Sequence, residues 1–257
     1  MKKLKYTQNI SPTLKALWVW DLCNTAYETP TQPGLWRKYP GANFIQVFRD
    51  DPDYMFCIRY VHNGQGYLFF VWAGTRNPKM FFGSEGNFNI YPLKHGMFPE
   101  GLHNTWMDHI EFVDEMLDKF PEDIPVGAGH SRGSQLAGMC VYAILGNQRV
   151  KSGLKNLCDY IGFATPPIGI GKFYYLFEHL RYKFTDTCLR VNTVGDVFAS
   201  NRVDDLFGGK QVGEEFLLPG SVLSRWRIFS RIFRHTSKTY NKAVKKMLKK
   251  LGYKPVY

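Results

Sequence analysis

Residues 125–138 read PVGAGHSRGSQLAG, with the pentapeptide Gly129-His130-Ser131-Arg132-Gly133 at the centre. The short apolar run at 124–128 is typical of a buried parallel strand. After the turn, apolar residues recur at three- and four-residue steps, which predicts a helix with one buried face; they are Leu136, Met139, Cys140, Ala143 and Ile144. A nucleophilic serine on a strained turn requires this order of strand, serine and helix. The alternative interpretation is a phosphate-binding or purely structural glycine loop.

The composition is that of a protein with a large core. The chain has 257 residues, of which 44% are hydrophobic and 16% aromatic. No repeat, low-complexity tract or Ser/Pro-rich linker divides it, which predicts a single domain over residues 1–257. We find no secretory signal and no apolar stretch of membrane-spanning length, and therefore expect a cytoplasmic protein, at most peripheral to a membrane. The scattered cysteines predict reduced core thiols rather than disulfides or metal ligands; they are Cys23, Cys57, Cys140, Cys158 and Cys188.

The formal net charge of +11 is unevenly distributed, since eleven basic residues and no acid lie between Arg225 and Lys254. Residues 221–233 interleave arginines with large apolar side chains, a pattern typical of amphipathic segments that lie on lipid. An anionic membrane surface is therefore the partner predicted for residues 221–234, and nucleic acid is not expected. The alternative is a core-facing helix with a basic polar side. After Lys242 a solvated lysine face is the favoured interpretation.

Periodicity and turn residues divide the chain into alternating helices and strands. One helix is predicted from Ser11-Pro12 to before Pro30, with an apolar side that includes Tyr27, and another over residues 106–120, with Met107 on its buried side. Strands are predicted at 43–48, 54–61, 67–73, 159–164, 189–194 and 216–218, and a long loop at 80–98. This order predicts an α/β fold with a mostly parallel central sheet, helices on both faces and an antiparallel N-terminal portion.

A serine hydroxyl becomes an effective nucleophile only when a base takes its proton and an acid orients that base. In hydrolases with a strand–serine–helix turn, the acid and then the histidine follow the serine along the chain. Asp196 follows a predicted buried strand, at the edge where active residues of parallel sheets lie, and His235 comes near the chain end. The remaining candidates are interpreted as solvated loop acids or as a partly buried helix residue; they are Asp186, Asp204 and Asp205, and His179.

Five stretches, in this order, resemble landmarks of the class 3 (fungal-type) lipases of the α/β-hydrolase superfamily. They are the apolar strand with its oxyanion loop at 69–75 (FFVWAGT), the elbow GHSRGSQLA at 129–137, the turn FATPPIG at 163–169, the strand with its acid at 191–198, and VGEEF at 212–216. The likeness spans about residues 14 to 240. The chain departs from the family pattern, which has Arg, Leu, Gly and Asp, at Ala73, Arg132, Ser134 and Arg234.

The resemblance implies an α/β-hydrolase fold and a serine carboxyl-ester hydrolase, a lipase or esterase that acts on lipid esters. Ser131 would be the nucleophile, His235 the general base and Asp196 the acid that orients it. The oxyanion hole would consist of the backbone N–H groups of Thr75 and Arg132, with the Thr75 hydroxyl as a further donor. Neither a metal nor an organic cofactor is implied.

Three alternatives concern the surroundings of this site. Residues 80–91 carry aromatic side chains and would form a lipid-facing lid, or would instead fill a gap in the core. A phospholipase A1 that acts on anionic membranes would use Arg132 and the basic segment better than a triglyceride lipase would. A catalytically idle hydrolase fold that binds membrane or nucleic acid is the non-enzymatic alternative.

Overall fold

The structure, a computed structural model, describes residues 2–27, 42–49, 54–75, 90–93, 96–146, 158–194, 196, 209–219 and 236–254. Within these ranges the helices are α1 (Pro12–Thr25), α2 (Glu100–Lys119), α3 (Arg132–Gly146), α4 (Lys172–Phe184) and α5 (Ser237–Lys250). The strands of the first half are β1 (Lys2–Lys3), β2 (Ala42–Arg49), β3 (Tyr54–His62), β4 (Gln65–Trp72), β5 (Ile90–Leu93) and β6 (Gly96–Pro99). Those of the second half are β7 (Ile124–His130), β8 (Asp159–Phe163), β9 (Gly169–Ile170), β10 (Cys188–Thr193), β11 (Gly209–Lys210), β12 (Glu214–Leu218) and β13 (Tyr253–Lys254).

A seven-stranded sheet with the order β12-β10-β8-β7-β4-β3-β2 forms the centre of the fold. Strands β4, β7, β8, β10 and β12 run parallel to one another, whereas β3 is antiparallel to both β2 and β4. The predicted sheet, parallel with an antiparallel N-terminal portion, is therefore confirmed. Because the parallel strands share one direction, their carboxyl ends form a single edge, and β7 delivers Ser131 to it.

Helices cover both faces of this sheet, as predicted. Side chains alternate along β4: Phe69 and Val71 belong to the core beneath α1 and α5, and Phe70 and Trp72 to the core beneath α2, α3 and α4. A strand buried on both faces has no polar side, which explains why β4 is a continuous apolar run in the sequence. The single domain over residues 1–257 stays a prediction.

Helix α1 begins where the sequence predicts but is buried on nearly all sides. The Ser11 hydroxyl accepts a hydrogen bond from the Leu14 N–H, and Pro12 occupies the first turn. Every residue from Lys15 to Cys23 is buried, because α1 lies between the sheet and α5. The predicted single apolar side is therefore wrong. Tyr27 does not belong to the helix, which ends at Thr25.

Helix α2 begins six residues before the predicted start, and this shifts its buried face. Leu102, Trp106, His109, Val113 and Met116 are buried at three- and four-residue steps. Met107, one residue past this row, is 49% exposed, so the prediction that it is buried is wrong.

The predicted loop at 80–98 contains two strands. Strands β5 and β6 pair antiparallel, from Ile90 opposite Pro99 to Leu93 opposite Gly96, and β6 continues through β9 to β11 in a four-stranded sheet. Four-residue strands are too short for a period-2 pattern to separate them from a loop. The remainder of the predicted lid, residues 80–89, lies outside the described ranges.

Two further predictions about polar residues are wrong. His179, predicted to be partly buried, is exposed on α4. Asp186 is in a loop and its side chain is 41% exposed, but its carboxylate forms an ion pair with the fully buried Lys15 and is therefore no free solvated acid. Asp204 and Asp205 lie outside the described part of the chain.

The cysteines are in the predicted state, since all five are buried and free. The C-terminal lysines from Lys242 onward are exposed along α5, as predicted, whereas the basic segment 221–234 falls outside the described residues. No helix in the described ranges is long and apolar enough to cross a membrane.

Candidate active site

Ser131 lies in the one-residue turn between β7 and α3, with a backbone φ of 56°. This left-handed conformation is unfavourable for a residue with a side chain and is maintained only where the surroundings impose it. The Ser131 N–H donates to the Phe163 carbonyl at 2.8 Å, and the Ser131 carbonyl accepts from the Ser134 N–H at 2.9 Å. Two neighbouring elements, β8 and α3, therefore fix the turn.

The two glycines of the pentapeptide allow this turn because strand, helix and loop approach one another closely. A Cβ at Gly129 would overlap the Gly133 carbonyl, and a Cβ at Gly133 would overlap the Ala73 carbonyl at the end of β4. Neither position has room for a side chain. The predicted role of these glycines, to let strand and helix pack around the serine, is confirmed.

The predicted oxyanion loop passes beside the serine. A Cβ at Gly74 would be 3.1 Å from the Ser131 Cβ, so the Gly74 backbone is in close contact with the nucleophile turn. Thr75, the predicted donor, is the next residue and the last described one before the gap at 76–89. The first helical residue of α3 is Arg132, so its N–H lies in the first turn of the helix, directly after Ser131. The two predicted N–H donors thus belong to segments that meet at Ser131.

Tyr27 connects the oxyanion loop with the residue before the nucleophile. Its hydroxyl accepts a hydrogen bond from the Gly74 N–H at 2.9 Å and lies 2.6 Å from His130 Nδ1. A phenol oxygen donates one proton and accepts up to two, so the tautomer of His130 decides whether the hydroxyl donates to Nδ1 or accepts from it. The loop and the turn are therefore joined through one phenol.

Asp196 is buried three residues beyond β10, at the same edge of the sheet as Ser131. Its carboxylate accepts a hydrogen bond from the Tyr240 hydroxyl at 2.8 Å, and that hydroxyl in turn accepts from the Thr193 N–H at 3.0 Å. Burial, and then the negative charge of Asp196, raise the pKa of Tyr240 well above its usual value of 10. Tyr240 therefore remains a donor to the carboxylate throughout the neutral range.

Aromatic rings fill the space between Asp196 and the nucleophile turn. The Tyr240 ring stacks on Trp20 at 5.5 Å and meets the His130 ring edge-on at 5.2 Å. Trp20 also contacts His130 and Phe163, at 5.6 and 4.8 Å between ring centroids. Since Phe163 binds the Ser131 N–H through its carbonyl, this aromatic layer couples the positions of the serine and the acid.

The Arg132 side chain is directed toward α2. Its Nη2 donates to the Gly101 carbonyl at 3.1 Å and to the Thr105 hydroxyl at 2.7 Å. Burial lowers the pKa of the guanidinium to about 10, which leaves it positively charged at neutral pH. The residue that follows the nucleophile therefore carries a cation, partly withdrawn from water and held against α2, where the resembling family has leucine.

The described structure contains part of the predicted triad. Ser131 and Asp196 both follow strands at the carboxyl edge of the sheet, whereas His235 lies outside the described residues, so the triad stays a prediction. The chain is described again from Thr236, one helical turn before Tyr240. No group of three or more His, Cys, Asp or Glu side chains in the described ranges could hold a metal ion.

Sequence reasoning missed Tyr27, His130 and Tyr240 as parts of the site. Tyr27 was assigned to the apolar side of a helix, and Tyr240 follows the predicted base by only five residues. Their contacts bridge 47 and 44 positions of sequence to Gly74 and Asp196, and no local pattern signals such pairs. The one available signal was general: a buried tyrosine hydroxyl usually forms a hydrogen bond.

Fungal lipases of known structure share this fold. The lipase from Rhizopus microsporus var. chinensis is 16% identical over 81% of this chain and 75% of its own, with a TM-score of 0.62. The triacylglyceride lipase of Rhizomucor miehei is 15% identical over 81% of each chain, with a TM-score of 0.63. A triacylglycerol lipase from Penicillium expansum is 17% identical over 80% of this chain and 79% of its own, with a TM-score of 0.58.

No protein-family model matches the sequence, and no curated protein matches it significantly. The structural likeness is nevertheless extensive and covers about four fifths of this chain in the three lipases above. It confirms, at the level of the fold, the resemblance that the sequence motifs predict. The chain has the α/β-hydrolase fold, in the form found in fungal lipases.

Proposed function

We propose that this protein is a serine carboxyl-ester hydrolase that acts on lipid esters, with Ser131 as its nucleophile. The observation that carries the proposal is the left-handed Ser131, held between β7 and the N-terminus of α3 with the Gly74 backbone against it. A turn of this kind exposes the hydroxyl and brings backbone N–H groups close to it. A purely structural glycine loop needs no residue with a side chain at its strained position.

In the proposed mechanism, His235 takes the proton of Ser131 as Oγ attacks the ester carbonyl carbon. The tetrahedral oxyanion accepts hydrogen bonds from the N–H groups of Arg132 and Thr75. His235 then gives the proton to the leaving alcohol as the carbon–oxygen bond breaks, which leaves an acyl-enzyme. In the second half-reaction His235 takes a proton from water, the hydroxide attacks the acyl-enzyme carbonyl, and the carboxylic acid leaves as Ser131 Oγ is reprotonated. Asp196, held by Tyr240, orients His235 and stabilises its protonated form.

The structural neighbours support this choice of reaction and substrate. One of them is described as a triacylglycerol lipase whose catalytic centre is a serine protease triad, and another as a fungal lipase that is a model for interfacial activation. Their sequences are only 15% and 17% identical to this chain, so activity on lipid esters is here a proposal.

A phospholipase A1 is the second candidate, and Arg132 favours it. A guanidinium on the residue after the nucleophile, partly withdrawn from water, would attract a substrate that carries a phosphate near the scissile ester. An aliphatic residue at this position would give no such attraction.

The five free thiols suit a reducing compartment, so we include in the proposal a cytoplasmic location at the periphery of a membrane.

The first test is covalent labelling of the nucleophile. A fluorophosphonate probe should label the wild-type protein and fail to label Ser131→Ala, and the variant should lose about four to six orders of magnitude in kcat on p-nitrophenyl esters. Ser134→Ala is the matched control, because it removes a hydroxyl three residues away that bonds only to the Ser131 carbonyl. Ester hydrolysis by Ser131→Ala at the wild-type rate would refute the proposal and leave an idle hydrolase fold.

A second test assigns the base and the acid. We expect His235→Ala to be nearly as inactive as Ser131→Ala, and His179→Ala to keep full activity because His179 is exposed on α4. Asp196→Asn should cost less than either loss yet far more than Asp204→Asn. Inactivation by His179→Ala with an active His235→Ala would overturn the assignment of the base while leaving Ser131 as nucleophile.

Hydrolysis of phosphatidylcholine and triglyceride by the same preparations would separate the two substrate classes.

A further inference from the structure

Helix α5 has one buried face and one face made of lysine. Tyr240, Ala243, Val244 and Leu248 are buried against the sheet and α1. The opposite side consists of exposed lysines at three- and four-residue steps along the helix; they are Lys238, Lys242, Lys245, Lys246, Lys249 and Lys250, here called the lysine face. At 1.5 Å per residue this face is about 18 Å long from Lys238 to Lys250.

The fold extends this face with lysines from the other end of the chain. Strand β1 pairs parallel with β13, with Lys2 opposite Tyr253 and Lys3 opposite Lys254. Lys3, Lys5 and Lys254 are exposed. Residues that are about 250 positions apart in the sequence therefore join one basic surface, which the sequence alone does not show.

This surface contains no compensating negative charge in the described part of the chain. None of its lysines takes part in an ion pair there. Neighbours at i and i+4, such as Lys238 with Lys242 and Lys245 with Lys249, repel each other on a helix. An anion bound across the face would relieve that repulsion.

One apolar side chain is exposed within this basic surface. Leu251, which follows Lys249 and Lys250 directly, is 43% exposed, and Gly252 turns the chain there with a φ of 79°. A lone aliphatic side chain among lysines suits the boundary between head groups and acyl chains, where apolar burial adds to charge attraction.

The lysine face begins at the edge of the sheet where the candidate site lies. Tyr240, in the first turn of α5, contacts Asp196 beyond the end of β10. At the other pole, Tyr6 follows Lys5 and bonds to Asp159, the first residue of β8. The face therefore runs along the side of the molecule from the carboxyl edge to the amino edge of the sheet.

We propose that the lysine face, together with Lys3, Lys5, Lys254 and Leu251, binds the surface of a bilayer that contains anionic lipid. Lysines near such a surface are attracted by its negative potential, and clusters of four to eight of them are sufficient for binding. Within its described residues, helix α5 exposes no aromatic or arginine side chain. Sites for single-stranded nucleic acid are instead grooves with stacking aromatics, which disfavours that partner. The choice of a lipid partner rests on the proposed function, whereas the surface itself does not.

Co-sedimentation with vesicles tests the proposal. Wild-type protein should bind vesicles of mixed phosphatidylcholine and phosphatidylserine and should not bind phosphatidylcholine alone. Lys245→Glu/Lys249→Glu should weaken binding at least about tenfold, since each lysine near the surface contributes substantially. Binding should also fall between about 0.1 M and about 1 M salt, over which the Debye length shrinks from about 10 to about 3 Å. Leu251→Ser should weaken binding about two- to fivefold.

The matched control is Lys119→Glu/Lys183→Glu, two exposed lysines on α2 and α4. Both double variants lower the formal net charge from +11 by four, to +7, so a difference between them reports position rather than total charge. Equal loss in both variants, or binding to neutral vesicles, would overturn the proposal. Tighter binding to a duplex or single-stranded oligonucleotide than to the anionic vesicles, lost in Lys245→Glu/Lys249→Glu, would overturn it in favour of nucleic acid.

A soluble p-nitrophenyl ester separates this proposal from the proposed function. Lys245→Glu/Lys249→Glu should hydrolyse that ester at the wild-type rate, because neither lysine contacts the candidate site. A protein that binds anionic vesicles through this face but hydrolyses no ester would support the membrane-binding proposal and contradict the proposed ester hydrolase function. A protein that hydrolyses the soluble ester but shows no preference for anionic vesicles would contradict only the membrane-binding proposal.

Discussion

Ser131 keeps its left-handed backbone because each of its neighbours prevents relaxation. Its N–H is bound to β8 and its carbonyl to α3, while glycines on either side let the helix and the β4 loop close on the turn. Strain of this kind typically costs 1–3 kcal/mol and is retained where a reactive group must be presented. The pentapeptide predicted this geometry correctly because the glycine spacing itself is what the close packing needs.

The residues that hold the site together could not be predicted in the same way. Tyr27 and Tyr240 each place one hydroxyl between two polar groups, Gly74 with His130 in one case and Asp196 with Thr193 in the other. Nothing in the sequence next to either tyrosine distinguishes it from the other aromatics. Such contacts follow from the tertiary fold and become visible only when distant elements are brought together.

Tyr27→Phe tests whether the phenol positions the oxyanion loop. The change removes the acceptor of the Gly74 N–H while keeping the ring that packs on His130. We expect kcat to fall about ten- to a hundredfold with KM little changed, because misplaced N–H donors weaken stabilisation of the transition state alone. Steady-state kinetics on a soluble ester measures the two constants separately.

Tyr60→Phe is the control for this experiment, because Tyr60 is a tyrosine whose ring packs in the core but which belongs to β3, far from the turn. If Tyr27→Phe raised KM and left kcat unchanged, the phenol would have no role in positioning the donors. A fall in thermal stability without any kinetic change would lead to the same conclusion.

At the scale of helices and strands, prediction succeeded where the element was long enough for the pattern of its apolar residues to be recognised in the sequence. The buried face of α3 follows from steps of three to four residues, and the apolar run of β4 from burial on both faces. It failed for β5 and β6, which are four residues each, and for the surroundings of α1. The all-round burial of α1 depends on α5, which packs over it from the far end of the chain.

Lys15 on α1 provides the sharpest element-scale prediction. Its ammonium group is fully buried and donates to Asp159 at 3.1 Å, to Thr187 at 3.0 Å and to the Asp186 carboxylate. Burial raises the pKa of the Asp159 carboxyl, and the charge and hydrogen bonds of Lys15 oppose that rise. The cluster thereby ties α1 to the amino ends of β8 and β10.

Lys15→Met should lower the free energy of unfolding by about 3–5 kcal/mol, because it leaves Asp159 buried without its cation. The double variant Lys15→Met/Asp159→Asn should recover part of this loss, since an amide has no charge to compensate. Lys172→Met, at an exposed position on α4, is the control and should change stability by less than about 0.5 kcal/mol. Urea denaturation measures all three. A loss below about 1 kcal/mol for Lys15→Met would mean that water or a neighbouring group replaces the ammonium.

For the molecule as a whole, composition and element order predicted the class of fold, and the joint order of five short motifs predicted its form. What they could not predict is which distant segments share a surface. The pairing of β1 with β13 brings both chain ends together, and the aromatic layer joins α1, β7, β8 and α5 under the candidate site. Both arrangements depend on long-range packing rather than on local periodicity.

The same buried core predicts sensitivity to alkali. Burial raises the pKa of all five thiols above the usual value near 9. Between pH 9 and those raised values the unfolded chain releases thiol protons while the folded chain keeps them. The unfolded state then binds fewer protons, so stability is intact below about pH 8.5 and falls as the pH rises.

Since all five thiols act in the same direction, the loss of stability should steepen above about pH 9. Urea denaturation at pH 7, 8.5 and 10 in the presence of a reductant should therefore show a steep drop only in the last step. Cys57→Ala/Cys140→Ala should be less stable at pH 7 but should lose less stability than the wild type between pH 8.5 and pH 10, since two of the five groups are gone. An equal loss in wild type and variant over that interval would show that the thiols do not cause it, and the buried tyrosines Tyr6 and Tyr240, whose pKa values are also raised by burial, would then be the groups responsible.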